Sequence, residues 1–174
     1  MYKRIFLFYF IFLYCFAFKI IAQENPNLGK LADLSLIKKW DISIGSDGYE
    51  LPAGYGDAII GKEIYNQQCI ACHGVQGEGL LNDKLAGGHG SLVTDKAVKT
   101  IGSYWPYATT IFDYIRRAMP YLSPKSLTNE EAYSLTAYML YINNIIPEEM
   151  IINAETLPMI IMPNKENFII SYPK

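Results

Sequence analysis

The segment "GKEIYNQQCIACHG", residues 61–74, decides how the rest of this 174-residue chain is interpreted. It contains Cys69 and Cys72 with two residues between them, and His73 directly after the second cysteine. Two thiols at this spacing can each form a thioether with one vinyl group of a haem, and the adjacent histidine is then held beneath the iron as an axial ligand. The spacing therefore predicts one covalently attached haem c.

Two other kinds of site use closely spaced cysteines. A zinc site needs two further Cys or His ligands, and His89 is the one that remains once the N-terminal segment containing Cys15 is set aside. A thioredoxin-like dithiol is expected inside a βαβ pattern, which the flanking residues do not show. Both alternatives remain open at this point, with haem attachment favoured.

A sixth ligand to the iron is sought among the methionines and the second histidine. Met119 is favoured because it follows an amphipathic helix, precedes Pro120 and lies 46 residues after His73, which is enough chain to reach the opposite haem face. Met162 also precedes a proline, and His89 stands between glycines that allow close backbone approach. These two residues stay as alternative ligands.

The first 22 residues have the layout of a secretory signal. Lys3 and Arg4 are basic, residues 5–18 form an apolar and aromatic run, and the sequence then turns polar. We expect cleavage after Ala22 and a periplasmic location. Ile20 is large for a residue so close to a cleavage site, so contact with the membrane through an uncleaved segment remains the alternative.

The charge of the expected mature chain argues against nucleic acid as a partner. Loss of residues 1–22 removes three of the 15 basic residues and no acid, which leaves 12 basic against 17 acidic residues, a formal charge of −5. An exported protein also meets oxidising conditions, where a cysteine pair without a cofactor would be expected to form a disulfide.

The chain divides by composition into an irregular N-terminal arm at 23–56, a haem domain at 57–146 and a C-terminal tail at 147–174. The arm contains turn-rich stretches such as "GSDG" and "ELPAGYG", and prolines interrupt the apolar pieces of the tail. We expect the tail to pack on the domain as an extended strap. No strand pairing is predicted, so the fold class is all-α.

Three helices and one long loop are predicted within the haem domain. The first helix starts near Asp57 and ends at the cysteine motif, and a glycine-rich loop follows at 74–106. The last helix runs to about Asn144. The starts of the second and last helices are predicted from two capping boxes, Thr110 with Asp113 and Thr128 with Glu131.

The cysteine motif, the glycine-rich loop, "MP" after a short helix and a final amphipathic helix together resemble a class I cytochrome c. Three longer stretches are similar to the cytochrome subunit of periplasmic sulfane/sulfite dehydrogenases. They are "WDISIGSDGYELPAGYG" at 40–56, "TIGSYWPYATTIFDYIRRAMP" at 100–120 and "LPMIIMPNKENF" at 157–168.

The resemblance implies a class I cytochrome c fold in which the first and last helices cross at Gly61 and Tyr65 against Tyr138. It also implies that Met119 is the sixth ligand. Members of the family often use a proline in the loop after the motif to orient the axial histidine, and the corresponding "LNDKLAGG" has none. A hydrogen-bond acceptor for His73 is still expected, because it sets the tautomer and raises ligand basicity.

The resemblance further implies an electron-transfer subunit, not an enzyme, whose partners are a molybdenum-cofactor dehydrogenase subunit and a downstream cytochrome or oxidase. A general periplasmic electron shuttle and a haem enzyme acting on thiosulfate are the rival functions. Tyr104 and Trp105 are candidates for the haem edge, and Arg116 for a haem propionate or a docked partner. Packing in the core is an equally good explanation of Tyr104, whereas the indole N–H of Trp105 needs a hydrogen-bond partner. For the arginines, one solvated and one paired with Asp113 is at least as good an explanation.

Overall fold

The computed structural model describes residues 28–169 and Ser171. The predicted signal peptide lies outside the described residues, so its cleavage stays a prediction. Between residues 28 and 169 no helix combines the length and apolarity needed to cross a membrane. The chain divides into two compact units, 1–37 and 38–174, and the second contains the haem-attachment motif.

Helices dominate the described part of the chain, which confirms the fold class. Shorter 3-10 turns at Ser91–Val93, Leu157–Met159 and Lys165–Asn167 lie between and after the helices. The α-helices are α1 (Leu34–Trp40), α2 (Ala58–Gln68), α3 (Ile70–His73), α4 (Ile101–Tyr104), α5 (Ala108–Ala118) and α6 (Asn129–Ile142).

Two of the predicted helix starts are confirmed. The Asp57 carboxylate accepts a hydrogen bond from the backbone N–H of Ile60 at 2.9 Å and begins α2. Thr128 and Glu131 form a reciprocal capping box at α6, in which each side chain accepts the backbone N–H of the other residue.

The predicted capping box of Thr110 with Asp113 is wrong. Helix α5 begins two residues earlier, at Ala108, and Thr110 lies inside its first turn. The Asp113 carboxylate instead accepts hydrogen bonds from the Arg117 side chain at 2.6 Å and from the backbone N–H of Ile44 at 3.0 Å. This carboxylate therefore links α5 to the arm and does not cap the helix.

The arm and the tail meet in a two-stranded antiparallel sheet, which the sequence did not predict. Strand β1 (Tyr55–Gly56) pairs with β2 (Ile152–Asn153). Each strand is two residues long, too short for the alternating pattern from which strands are predicted. A single bridge between Tyr107 and Ile161 also joins the tail to the start of α5.

Helices α2 and α6 cross at a glycine, as predicted. A β-carbon at Gly61 would collide with the backbone carbonyl of Ser134. The rings of Tyr65 and Tyr138 pack with centroids 5.1 Å apart beside this crossing. Helix α6 is buried continuously from Ala132 to Leu140, and the tail adds Ile152, Leu157 and Met162 to the same core.

Candidate haem-binding site

The cysteine motif occupies a single short turn at the end of α2. Cys69 ends that helix, and its backbone N–H donates to the carbonyl of Tyr65 at 2.8 Å. The N–H groups of Cys72 and His73 both donate back to the Cys69 carbonyl, at 3.1 and 3.0 Å. Gly74, at φ 83°, then reverses the chain. The two sulfurs and the imidazole therefore sit on a compact, hydrogen-bonded turn.

Both cysteines are half-buried. Burial raises the pKa of the Cys69 thiol to about 11, and the neighbouring Cys72 adds to this shift. Neither sulfur is committed to a disulfide. The pair therefore fits the chemistry of thioether attachment.

His73 receives its orientation from the loop that follows the motif. Its Nδ1 lies 3.0 Å from the backbone carbonyl of Asp83, so the protonated Nδ1 donates there and leaves Nε2 for a metal. Two backbone hydrogen bonds hold this loop against the motif, from Gly79 to the His73 carbonyl at 2.8 Å and from Asn82 to the Cys72 carbonyl at 2.9 Å. The acceptor is thus provided without a proline.

Two side chains that the sequence reading did not single out for this role support the turn. The Tyr65 hydroxyl donates to the Gly74 carbonyl at 2.8 Å, and burial raises the pKa of this phenol. The Glu78 carboxylate accepts the backbone N–H groups of Val75 and Gln76, at 3.1 and 2.7 Å. Glu78 lies four residues after Gly74, so its carboxylate closes the turn that this glycine begins.

A buried amide on α6 holds the more distant part of the glycine-rich loop. Asn143 is 1% exposed. Its amide nitrogen donates to the carbonyls of Met139 and Leu85, at 2.8 and 3.1 Å, and its oxygen accepts the N–H of Gly87 at 3.3 Å. An isolated asparagine near a helix end has no sequence signal that indicates this role.

Met119, the predicted sixth ligand, ends α5 and is half-buried, with its backbone N–H donating to the carbonyl of Ile115 at 3.1 Å. Met162 is 1% exposed and belongs to the hydrophobic core. His89 is an exposed residue of the glycine-rich loop. The axial role of Met119 stays a prediction.

Tyr104 and Trp105, predicted at the haem edge, are half-buried at the end of α4. The Trp105 ring meets Tyr114 edge-on with centroids 5.8 Å apart. Tyr104 packs edge-on against Phe168 at 5.5 Å, and Lys99 lies 4.9 Å from the Tyr104 ring centre. Both aromatic rings have protein neighbours, and their contact with haem stays a prediction.

The side chains of Arg116 and Arg117 have different surroundings. Arg117 pairs with Asp113, which raises the pKa of its guanidinium through their hydrogen bond. Arg116 lines an open cavity together with residues of the arm and of α6. The expectation that one arginine pairs with Asp113 is confirmed, whereas a role for Arg116 at a propionate stays a prediction.

Several half-buried apolar side chains pack against the core. Among them are Ile70, Leu85, Trp105, Ile115, Leu127 and Met150. Two cysteines outside any disulfide and an imidazole with its Nδ1 engaged fit a covalently attached haem.

Comparison with known proteins agrees with the geometry. Residues 56–139 match the family described as cytochrome c oxidase, cbb3-type, subunit III. The crystal structure of the sulfane dehydrogenase SoxCD from Paracoccus pantotrophus superposes with a TM-score of 0.76 and 38% identity, covering 86% of this chain and 73% of that one.

Curated relatives named thiosulfate dehydrogenase are also similar. The protein from Allochromatium vinosum is 29% identical over 132 residues, which is 70% of this chain and 47% of that protein. The protein from Stutzerimonas stutzeri is 33% identical over 89 residues, 51% of this chain and 28% of that protein. The chain thus spans less than half the length of these relatives.

The attachment turn, the α2–α6 crossing and these similarities agree on one family. The prediction of haem c is confirmed by the same findings. The chain belongs to the class I cytochromes c, carries covalently bound haem c and is an electron-transfer protein related to sulfur dehydrogenase systems.

Proposed function

We propose that this cytochrome is an exported, periplasmic one-haem subunit. It accepts electrons from a molybdenum-dependent sulfite or sulfane dehydrogenase subunit and passes them to a downstream cytochrome or oxidase. The observation that carries the proposal is the similarity to SoxCD, at 38% identity over 86% of the chain. This similarity covers a larger share of both chains than the similarity to the thiosulfate dehydrogenase from Allochromatium vinosum does.

Four residues hold and tune the cofactor in this proposal. Cys69 and Cys72 would form the thioether bonds, and His73 and Met119 would be the two protein ligands of the iron. Haem iron with these ligands exchanges single electrons between its ferrous and ferric forms, and a thioether ligand raises its reduction potential. The Asp83 carbonyl accepts a hydrogen bond from His73 Nδ1, which leaves Nε2 as the nitrogen that would bind the iron.

The two predicted iron ligands define what the subunit would do. His73 and Met119 together would leave the iron no position for a substrate, so the chain would relay electrons and bond-making would take place on the partner's cofactor. Oxidation of sulfite, with the added oxygen atom taken from water, gives sulfate, two protons and two electrons. Because each chain carries one electron, two chains are reduced for every sulfite oxidised.

The test is an anaerobic titration of the oxidised holoprotein followed by its visible absorption. With the molybdenum dehydrogenase purified from the same host in catalytic amount, each sulfite should reduce two cytochrome chains. Without the dehydrogenase, sulfite should reduce far less of the cytochrome in the same time. Equal rates with and without the dehydrogenase would contradict the proposal.

A second candidate function is thiosulfate oxidation at this chain's own haem, and it is favoured by the curated relatives named thiosulfate dehydrogenase. Two thiosulfate ions would join as tetrathionate and release two electrons to two chains. Thiosulfate alone would then reduce the oxidised cytochrome and tetrathionate would accumulate. The relay proposal predicts neither result.

A further inference from the structure

An open cavity of about 530 Å³ lies where the end of α1, the end of α5 and the start of α6 meet. We call its lining the basic face. It consists of Lys38, Lys39, Ile42, Arg116, Lys125, Leu127, Thr128, Asn129 and Glu130.

The charge of the basic face is opposite to that of the molecule. Four of its residues are cationic and Glu130 is its one acid, whereas the expected mature chain carries a formal charge of −5. The ion pair found among residues 28–169 joins Arg117 to Asp113 and includes none of these four cations. Lys38, Lys39, Arg116 and Lys125 therefore form no ion pair within the described part of the chain.

The shape of the basic face suits a protein surface better than a small molecule. Ile42 and Leu127 are half-buried apolar residues, and they line the same cavity as the four cations. Small-molecule sites are usually concave, mostly apolar and enclosing, whereas docking surfaces combine an apolar centre with a polar rim. Lys125 is held in place because its ammonium lies 3.4 Å from the centre of the Trp40 ring.

The basic face is continuous with the segment that contains the predicted sixth ligand. Arg116 is three residues before Met119 in the last turn of α5, and Lys125 and Leu127 are in the segment that joins Met119 to α6. Electron transfer between proteins becomes faster as the distance between their cofactors shortens. A partner bound here would lie on the Met119 side of the cytochrome.

We infer that the basic face docks the acidic surface of a redox partner protein and that electrons exchange on this side. The inference rests on the proposed electron-carrier function. Opposite charges at such a surface mainly accelerate association and select the partner, and their effect weakens with added salt.

The test compares two double variants of the full-length holoprotein with equal changes in net charge. Lys38→Glu/Lys39→Glu alters the basic face, and Lys62→Glu/Lys96→Glu alters exposed lysines outside it. Oxidation of the reduced proteins is followed by stopped flow with hexacyanoferrate(III), an anion, and tris(phenanthroline)cobalt(III), a cation. Covalent haem and reduction potential are checked first in each protein.

At low ionic strength the basic-face variant should react about tenfold more slowly with the anionic oxidant and faster with the cationic one. The matched variant should change by about twofold or less, and high salt should remove the difference. Equal shifts in both double variants would overturn the inference, because net charge alone would then explain them.

Two further measurements separate the remaining outcomes. Saturable binding of sulfate to the wild-type protein by calorimetry, lost in Lys38→Glu/Lys39→Glu, would assign the basic face to a small oxoanion and overturn the docking inference. Failure of the molybdenum dehydrogenase to reduce the wild-type cytochrome would defeat the proposed partner. The comparison of the two oxidants does not involve the dehydrogenase, so it would still decide the inference about the electron-exchange side.

Discussion

His73 is oriented by a backbone carbonyl, that of Asp83, at 3.0 Å from its Nδ1. The sequence predicted that some acceptor exists, because ligating histidines generally donate their second ring N–H. It did not predict which one, since any residue can offer a backbone carbonyl and the choice depends on how the loop folds. The cysteines and the histidine were predictable because thioether attachment requires a fixed spacing.

Met119→Ala tests the predicted sixth ligand. The variant should lose the weak long-wavelength absorption of ferric haem bound by methionine sulfur. Its reduction potential should also fall, within the roughly 0.8 V range that axial ligands control. Visible spectroscopy and potentiometry make the measurement.

Met162→Ala is the matched control for that experiment. Because Met162 is 1% exposed in the core, its truncation should cost about 2–5 kcal/mol in the free energy of unfolding and leave the absorption intact. If Met162→Ala loses the absorption and Met119→Ala keeps it, the ligand assignment is reversed.

Tyr65→Phe removes the hydrogen bond to the Gly74 carbonyl and should lower the free energy of unfolding by about 1 kcal/mol near neutral pH. Burial raises the pKa of Tyr65, so the unfolded chain releases this phenolic proton first as the pH rises above about 10. The stability linked to Tyr65 is therefore present below that pH and declines above it.

The alkaline loss of stability should be smaller in Tyr65→Phe than in the wild type. It should not vanish, because burial also raises the pKa of Tyr133, to about 12, and that of Tyr138. Urea unfolding followed by far-UV circular dichroism at several pH values gives the slopes. Tyr55→Phe, at an exposed residue, is the control, and an equal reduction of the slope there would contradict the assignment to Tyr65.

At the scale of the elements, the contact between α2 and α6 depends on the absence of one side chain. Gly61→Ala would ordinarily favour a helix interior by about 1 kcal/mol. Here the added methyl group meets the Ser134 carbonyl, and overpacking costs about 1–3 kcal/mol, so we expect a net loss of stability.

The control for Gly61→Ala is Ile59→Ala, a half-exposed residue of the same helix, which should change the free energy of unfolding by about 0.5 kcal/mol or less. Thermal or urea unfolding of the holoproteins provides the comparison. A gain in stability from Gly61→Ala would mean that the helices do not cross this closely.

Helix positions were predictable where one residue's own chemistry determines them. The side chains of Asp57, Thr128 and Glu131 cap their helices because they hydrogen-bond to the backbone N–H groups of the helix start and not to distant residues. Thr110 and Asp113 have the same spacing as a capping box, yet Asp113 binds Arg117 and Ile44. These are tertiary contacts, and a local pattern contains no information about them.

At the scale of the whole molecule, the tail completes the core. Ile152, Leu157 and Met162 are at most 1% exposed, and β2 pairs with β1 from the arm. Burial of three such side chains contributes on the order of 6 kcal/mol, which is comparable to the whole stability of a domain. The prolines of the tail predicted an extended course but could not indicate the strand partner.

Truncation after Met150 should therefore abolish cooperative unfolding, whereas truncation after Phe168 should leave it nearly unchanged. Truncation after Phe168 removes Ile169, which is 89% exposed. Differential scanning calorimetry of the two holoproteins distinguishes these outcomes. A cooperative transition in the protein truncated after Met150 would show that the tail adds little to the core.

The most direct test of the central claim is purification of the native protein from its host, followed by measurement of haem, molybdenum and subunits in the same fraction. The account predicts one covalent haem per chain, assayed as the pyridine haemochrome, together with a larger subunit that contains molybdenum. A lone haem protein, free of molybdenum and not reduced by any sulfite or sulfane dehydrogenase of the host, would contradict it.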